Sequence, residues 1–368
     1  MRRRWGRALA GAALLLLALF AARQLYPPLR HPVDALLLAQ SLLAGEEGSW
    51  LARRTPPPGR REESAGGAPL DLYLPGVGGN SLRGCVLLAH GMTDAGRRDP
   101  RLAAFARDLA RLGFAAAVPE LPGMRRFRPD WEDVSRLASS FRWLDGRRAP
   151  GSPRCGLFGF SFSAGPVLLA AARPEMGERV GYAIAVGAYF ELREVLRHLT
   201  TGGRGEEPAF PGGPPIRAGK WLFLRHNAEL LGLEGHEAEA EAIVRAKLRE
   251  EGADVSAQVS RLPERLGPVL ALMENRDPAR FDALYRVQPP DLLRRVEEWS
   301  LKGVAGRGRF PLFLLHGRED PFIPASESFR LAEEARTVPG RTVRLRVADV
   351  LGHVDPTRRT LSFAAVAE

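Results

Sequence analysis

The hydrophobic positions of the chain change their spacing near residue 70. From there, short apolar runs typical of buried parallel strands alternate with segments whose apolar residues recur every three or four positions, which is typical of helices. This alternation predicts an α/β domain with a mainly parallel sheet and helices on both faces. We assign strands to these runs: LDLYLP (70–75, an early edge strand), GCVLLAH (84–90), FAAAVPE (114–120), CGLFGF (155–160), GYAIAVGAY (181–189), PLFLLHG (311–317) and VRLRVAD (343–349).

The alternation stops between residues 191 and 305, where the pattern is almost entirely helical. A stretch of this length without a buried strand indicates a helical cap inserted late in the sheet. The α/β domain is therefore predicted in two parts, residues 69–190 and 306–368, with the cap at 191–305 between them.

The amino-terminal part has a different character. Residues 1–26 combine an arginine-rich start with an unbroken apolar run from Ala8 to Ala22. We predict an uncleaved signal anchor, a single membrane helix that leaves the amino terminus in the cytoplasm and the rest outside; a cleaved signal peptide is the alternative. Residues 27–68 are predicted to be a tether, with one amphipathic helix lying on the membrane or on the domain, then a Pro-, Gly- and charge-rich linker.

The net charge of +10 does not predict a nucleic-acid partner. Of the 53 basic residues only three are lysine, and the arginines are scattered without an accompanying nucleic-acid motif. The two cysteines exclude a disulfide scaffold and a cysteine-based metal site. Cys85 and Cys155 open strands that would be neighbours, and we expect two buried thiols, with a single bridge as the alternative.

The candidate chemistry begins at GFSFSAG, residues 159–165, where a strand ends and a helix begins. A nucleophile on such a sharp turn needs small residues two positions before and after it, and Gly159 and Ser163 flank Ser161 in this way. Ser163 also fits a small-x-Ser-x-Gly pattern, and Pro166 favours it. We choose Ser161, because the apolar strand ends at Gly159 and leaves Ser161 at its tip.

A serine nucleophile needs a base to take its proton and an acid to orient that base. Asp320 follows the PLFLLHG strand and His353 follows the last strand, so we predict them as acid and base, with Glu319 and Asp355 as rival acids. The other histidines are assigned no catalytic role: His31 in the tether, His90 and His316 as structural groups beside strands, and His198, His226 and His236 as solvent-facing residues of the cap.

The negative charge that develops on the substrate oxygen needs two backbone N–H donors. We predict Phe162, directly after the nucleophile, and Met92, in the loop after the first buried strand. No metal ligand set is predicted.

With these motifs the sequence resembles the α/β-hydrolase superfamily, and more specifically bacterial α/β hydrolases with a helical cap. The resemblance covers residues 70–365 and is carried by VLLAHGMTD, AVPELPG, GLFGFSFSAG, PLFLLHGREDPFIP and GHVDP. It implies an eight-stranded sheet with the cap between the sixth and seventh strands. It also implies hydrolysis of an ester, thioester or amide through an acyl-enzyme, without a cofactor.

We therefore expect a membrane-anchored serine hydrolase outside the cytoplasm, an esterase or lipase acting on a hydrophobic or lipid-like acyl substrate. The alternatives are a non-catalytic binding module with the same fold, and an acyltransferase that uses the same three side chains.

Overall fold

The computed structural model of the chain describes residues 30–76, 82–128, 130–202, 235–349 and 351–352, together with residues 220, 221, 224, 225, 231 and 233. The strands are β1 (Gly59–Ala65), β2 (Ala68–Leu74), β3 (Gly84–Ala89), β4 (Phe114–Pro119), β5 (Gly156–Phe160), β6 (Tyr182–Val186), β7 (Leu312–Gly317) and β8 (Val343–Ala348). The helices are α1 (Arg30–Gly48), α2 (Trp50–Arg54), α3 (Pro100–Arg111), α4 (Pro122–Arg125), α5 (Trp131–Asp145), α6 (Ala164–Ala171), α7 (Leu192–Thr201), α8 (Glu237–Arg249), α9 (Ser256–Val259), α10 (Gly267–Glu274), α11 (Pro278–Arg286), α12 (Pro290–Glu298) and α13 (Ala325–Arg336).

The eight strands form one sheet in the order β1-β2-β4-β3-β5-β6-β7-β8. β1 and β2 are antiparallel to their neighbours, whereas β4, β3 and β5 to β8 run parallel to one another. The carboxyl ends of these six parallel strands therefore meet at one edge of the sheet, where ligands bind in open α/β sheets. The predicted α/β architecture is confirmed.

Two of the helices that cover the sheet begin at aspartates that cap their first turn. Asp99 accepts hydrogen bonds from the backbone N–H groups of Arg101 (3.0 Å) and Leu102 (3.3 Å) at the start of α3. At the start of α5, Asp130 and Asp133 form a reciprocal capping box. These caps satisfy N–H groups that the first turn of a helix cannot bond internally.

Two predictions about the first strands are wrong. β1 lies inside the stretch predicted as a linker, because backbone pairing with β2 needs no apolar side chains and β1 exposes most of its charged residues to solvent. β2 is consequently not an edge strand, since it pairs with β1 on one side and β4 on the other. On this side of the sheet, β1 is the edge strand.

The predicted tether helix is α1, and it packs on the α/β domain. Val33 and Leu37 form a small apolar cluster with Leu51 and with Leu112, at the end of α3. The buried carboxylate of Asp34 forms an ion pair with Arg83, directly before β3. Among the helices that the structure describes, none is long and apolar enough to cross a bilayer, and the predicted signal anchor at residues 1–26 lies outside the described residues.

Helices α7 to α12 follow β6 and precede β7, where the resemblance implies a cap. They have their own apolar cluster, separate from the main core around the sheet, in which Ile243, Val244 and Leu266 are almost completely buried. Trp221 and Leu231 also belong to it. The apolar side chains of the cap thus pack the cap itself.

The two cysteines form a disulfide, contrary to the expectation of two thiols. Cys85 opens β3 and Cys155 directly precedes β5, and the parallel register of these strands brings their Cα atoms to 4.6 Å. The distance falls within the range that a disulfide spans. The bond forms because the register of β3 and β5 places the two cysteines side by side. Assigning the strands from the sequence does not give their register.

We expect the bridge to contribute about 4 kcal/mol to the free energy of unfolding, because it closes a loop of 70 residues in the unfolded chain. Urea unfolding of the oxidised protein with and without dithiothreitol measures this difference. The double variant Cys85→Ala/Cys155→Ala is the control and should unfold at the same urea concentration under both conditions. A reductant effect of equal size in that variant would contradict the assignment.

Candidate active site

Ser161 lies at the carboxyl end of β5 in a strained backbone conformation. Its φ of 54° is in the left-handed region, and among the described residues only Phe127 is another non-glycine with positive φ. This conformation costs an L-residue roughly 1–3 kcal/mol and is found mainly at functional sites. The turn carries the half-buried Ser161 side chain at the edge where the parallel strands end.

The residue two positions before the serine has to be glycine. A Cβ atom at Gly159 would lie 2.6 Å from the Cα and 2.9 Å from the backbone nitrogen of Ala164. Both obstacles are backbone atoms of the following helix, so a larger side chain would force strand and helix apart. Gly159 therefore determines how sharply the chain turns at Ser161.

Ser163 has a different environment from Ser161. It is fully buried, with ordinary right-handed backbone angles (φ −67°, ψ −14°). Its Oγ accepts a hydrogen bond from the N–H of Phe160 (2.9 Å) and lies 2.8 Å from the carbonyl oxygen of Phe160 and 3.2 Å from that of Ala89, either of which can accept its proton. The hydroxyl fastens the turn to the end of β3, whereas a nucleophile must face the substrate.

The loop after β3 and the turn after β5 start side by side at the carboxyl edge of the sheet. Ala89 is the register partner of Gly159, and both Met92 and Phe162 follow three residues later. Both side chains are partly buried against the main apolar core. Their backbone N–H groups are therefore candidates for a shared oxyanion site beside Ser161.

His90 fixes the loop after β3. Its Nε2 accepts a hydrogen bond from the N–H of Leu121 (3.1 Å) and its Nδ1 donates to the carbonyl of Gly91 (2.8 Å). Burial lowers the pKa of His90, which keeps the imidazole neutral, as this pair of bonds requires. The structure thus places His90 in the structural position that its sequence context predicts.

A buried ion-pair network holds the next part of this loop. The guanidinium of Arg97 is buried and contacts Asp71 of β2, Glu62 of β1 (2.8 Å) and Glu120 after β4 (3.4 Å). A buried charge is stable only when it is paired in this way. No local sequence pattern predicts this network, because its members lie in four separate segments.

Asp320 is the buried carboxylate at the end of β7. Its Oδ1 accepts hydrogen bonds from the N–H groups of Phe322 (2.9 Å) and Ile323 (3.0 Å), and its Oδ2 lies 3.4 Å from Nε2 of His316. Glu319, the rival acid, is exposed to solvent. One carboxylate oxygen is thus fixed by the backbone, an arrangement that suits an orienting acid.

His316 is a buried support for this loop. Its Nε2 donates to the carbonyl of Ile323 (2.9 Å), and its Nδ1 accepts from the hydroxyl of Ser328 (2.6 Å) on α13. Both ring nitrogens are therefore engaged within the fold, in agreement with its assignment as a structural group.

The predicted base, His353, and the rival acid Asp355 lie outside the described residues. The chain that leads to them is described as far as Gly352. A Cβ atom at Gly317 would collide with the carbonyl oxygen of Gly352, so this chain passes directly over the end of β7. Gly317 is three residues before Asp320, and the described chain therefore reaches the acid loop one residue before His353.

His198 is not solvent-facing, and that prediction is wrong. It is 4 % exposed on α7, next to the carbonyl of Pro321 and the charge of Asp320, and burial lowers its pKa. The reason is its position three residues after the buried Val195, which puts both on the same face of the helix. This spacing was the available signal. Of the other cap histidines, His236 is half-buried at the start of α8 and His226 lies outside the described residues.

An arginine-rich cleft of about 680 Å³ lies beside the loops after β3 and β4. Its charged lining includes two carboxylates, Asp94 and Glu120, and four guanidinium groups, those of Arg125, Arg126, Arg128 and Arg225. Within the described part of the chain, no group of three or more His, Cys, Asp or Glu side chains is arranged to hold a metal ion.

Comparison with known proteins finds solved structures only. No protein-family model and no curated protein matches the chain. An esterase of Pyrococcus furiosus, Pf2001, is 15 % identical over 81 % of this chain and 84 % of that one, with a TM-score of 0.40. The serine hydrolase CCSP0084 of Cycloclasticus zankles is 17 % identical over 80 % and 91 % of the two chains, with a TM-score of 0.43.

An acylaminoacyl peptidase of Pyrococcus horikoshii is 11 % identical with a TM-score of 0.44, and the match covers 82 % of this chain but only 38 % of the peptidase. At such low identity and TM-score, these similarities carry no information on the substrate. The eight-stranded, mostly parallel sheet and the strained serine turn after β5 confirm that the chain resembles the α/β-hydrolase superfamily.

Proposed function

We propose that the protein is a serine hydrolase that cleaves a carboxylic ester through an acyl-enzyme. The observation that carries this proposal is the strained backbone of Ser161 at the carboxyl edge of the sheet. Ser161 is the nucleophile, His353 the base and Asp320 the acid that orients it. The N–H groups of Met92 and Phe162 bind the oxyanion.

The reaction follows from these roles. The Oγ of Ser161 attacks the carbonyl carbon of the ester while His353 takes its proton, and the carbonyl oxygen becomes an anion held by the two N–H groups. His353 then gives the proton to the leaving alcohol, and the acyl group remains on Ser161. Water, deprotonated by the same imidazole, attacks this ester and releases the acid. Asp320 stays ionised and stabilises the imidazolium.

We further infer that the α/β domain lies outside the cytoplasm, anchored by the apolar run in residues 1–26. The disulfide between Cys85 and Cys155 supports this location, because such bonds persist in oxidising compartments and are rare in the cytosol. The arginine-rich start before the apolar run favours the same orientation.

The nucleophile is tested with a fluorophosphonate probe, which reacts with activated serines. We expect the wild-type protein and Ser163→Ala to be labelled, and Ser161→Ala to remain unlabelled. Ser163→Ala should be less stable to urea by about 1–2 kcal/mol, because it leaves a buried N–H of Phe160 without its acceptor. Labelling of Ser161→Ala together with loss of labelling in Ser163→Ala would reverse the assignment.

A folded wild-type protein that no fluorophosphonate labels would contradict the hydrolase proposal and favour a binding module with the same fold.

The acid is tested by paired substitutions of adjacent carboxylates. Asp320→Asn should lower kcat/KM on p-nitrophenyl butyrate by at least about a hundredfold, because an amide cannot stabilise the imidazolium. Glu319→Gln is the matched control and should stay within about twofold of wild type, since its side chain is exposed. If Asp355→Asn loses the activity and Asp320→Asn keeps it, the assignment of the acid is wrong.

The location is tested by the state of the cysteines in a bacterial host. After denaturation without reductant, the full-length chain should resist a maleimide-polyethylene glycol reagent. A variant lacking residues 1–26, kept in the cytoplasm, should acquire two such groups. Two reactive thiols in the full-length chain would contradict the proposed location.

A further inference from the structure

The cleft lined by Arg125, Arg126, Arg128 and Arg225 lies at the same edge of the sheet as Ser161. Its arginines at 125–128 follow β4, and β4 is separated from β5 by β3 alone. Adjacent strands are 4.7–4.9 Å apart, so the loop after β4 begins roughly 10 Å from the strand that carries the serine. Asp320 follows β7, which lies on the other side of β5.

Buried acceptors hold the backbone directly before Arg125, Arg126 and Arg128. The carboxylate of Asp133 is buried and accepts hydrogen bonds from the N–H groups of Gly123 (3.1 Å) and Met124 (2.9 Å). The N–H of Leu121 donates to His90 (3.1 Å). Phe127, between Arg126 and Arg128, is the second non-glycine residue with positive φ (56°) among the described residues. A surface loop that only had to be solvated would not need buried acceptors and a strained residue.

The guanidinium groups of the cleft differ in their partners. Arg225 is neutralised by a two-point ion pair with Glu241 (2.7 and 2.9 Å), and Arg125 donates to the carbonyl of Asp94 (2.8 Å) near Glu120. Arg126 is exposed and forms no ion pair with any acidic residue in the described ranges. Its planar donor group is therefore available for an oxyanion in the cleft, and guanidinium groups bind carboxylates with two parallel hydrogen bonds.

The position of the cleft determines which part of a substrate it meets. His353 must protonate the leaving oxygen, so the alcohol lies towards the loops after β7 and β8. The acyl chain then extends to the opposite side, over β3 and β4, where the cleft lies. The strands β4 and β5 are roughly 10 Å apart, a separation that about eight bonds of an extended chain span.

We propose that the cleft binds a carboxylate at the far end of the acyl chain, with Arg126 as its main partner, so that the substrates are monoesters of dicarboxylic acids. This inference rests on the proposed hydrolase function. The acyl group of the proposed substrate is apolar in the middle and anionic at its end, whereas the sequence predicts a neutral, lipid-like acyl group.

The test compares two esters that differ only at the end of the chain, p-nitrophenyl octanoate and the p-nitrophenyl monoester of octanedioic acid. We expect the wild-type kcat/KM to be about fivefold higher for the acidic ester, since an ion pair at an exposed arginine contributes at most about this factor. In Arg126→Gln the ratio of the two kcat/KM values should fall towards one. Arg142→Gln, which removes an exposed arginine on α5, is the matched control and should keep the wild-type ratio.

A second measurement needs no variant. Raising the salt concentration should lower the wild-type ratio, because salt screens an exposed charge pair. Equal kcat/KM values for both esters, or a ratio that Arg126→Gln and Arg142→Gln reduce alike, would overturn the carboxylate site and leave the hydrolase proposal intact. If neither ester is cleaved and no fluorophosphonate labels the folded protein, the proposed function fails and the carboxylate site fails with it.

Discussion

The conformation of Ser161 is the constraint on which the site depends. A φ of 54° persists in a serine only where the surroundings exclude the relaxed alternatives. Gly159 does this by bringing the strand into contact with the backbone of Ala164. Ser163 does it with a buried hydroxyl that bonds the backbone of Phe160 and approaches the carbonyl of Ala89. A serine where the turn usually has a second glycine therefore adds a clamp to the turn.

The electrostatic support of the site comes from an unexpected part of the chain. Arg97 lies in the loop proposed to supply an oxyanion donor, and its partners Glu62 and Asp71 belong to the antiparallel strands β1 and β2. Because removing one member of a buried ion pair leaves an uncompensated charge, these strands influence the loop directly. The hairpin of β1 and β2 is thus connected through ion pairs to the edge of the sheet that carries Ser161.

The features that the sequence predicts well are those fixed by local pattern. The buried strands and the serine turn each depend on a few neighbouring residues. The errors concern relations between distant segments. β1 has the composition of a linker and is held by pairing with β2.

The errors at the two cysteines and at His198 also concern contacts between distant segments. Cys85 and Cys155 could be paired only by knowing the register of β3 and β5, and His198 is buried because the cap lies against the loop of Asp320. The arginines at 125–128 resemble any charged surface run until Asp133, His90 and the neighbouring strands are seen around them.

The docking of α1 on the domain determines which way the domain would face in the anchored protein that we propose. Asp34 pairs with Arg83 before β3, and Leu112 meets α1 just before β4, so the helix is fastened at the amino ends of the parallel strands. Only residues 23–29 separate this helix from the apolar run, and seven residues span at most roughly 25 Å. In that protein the bilayer would lie on the side of the sheet opposite Ser161, and an ester would reach Ser161 by diffusion through water and not from the lipid.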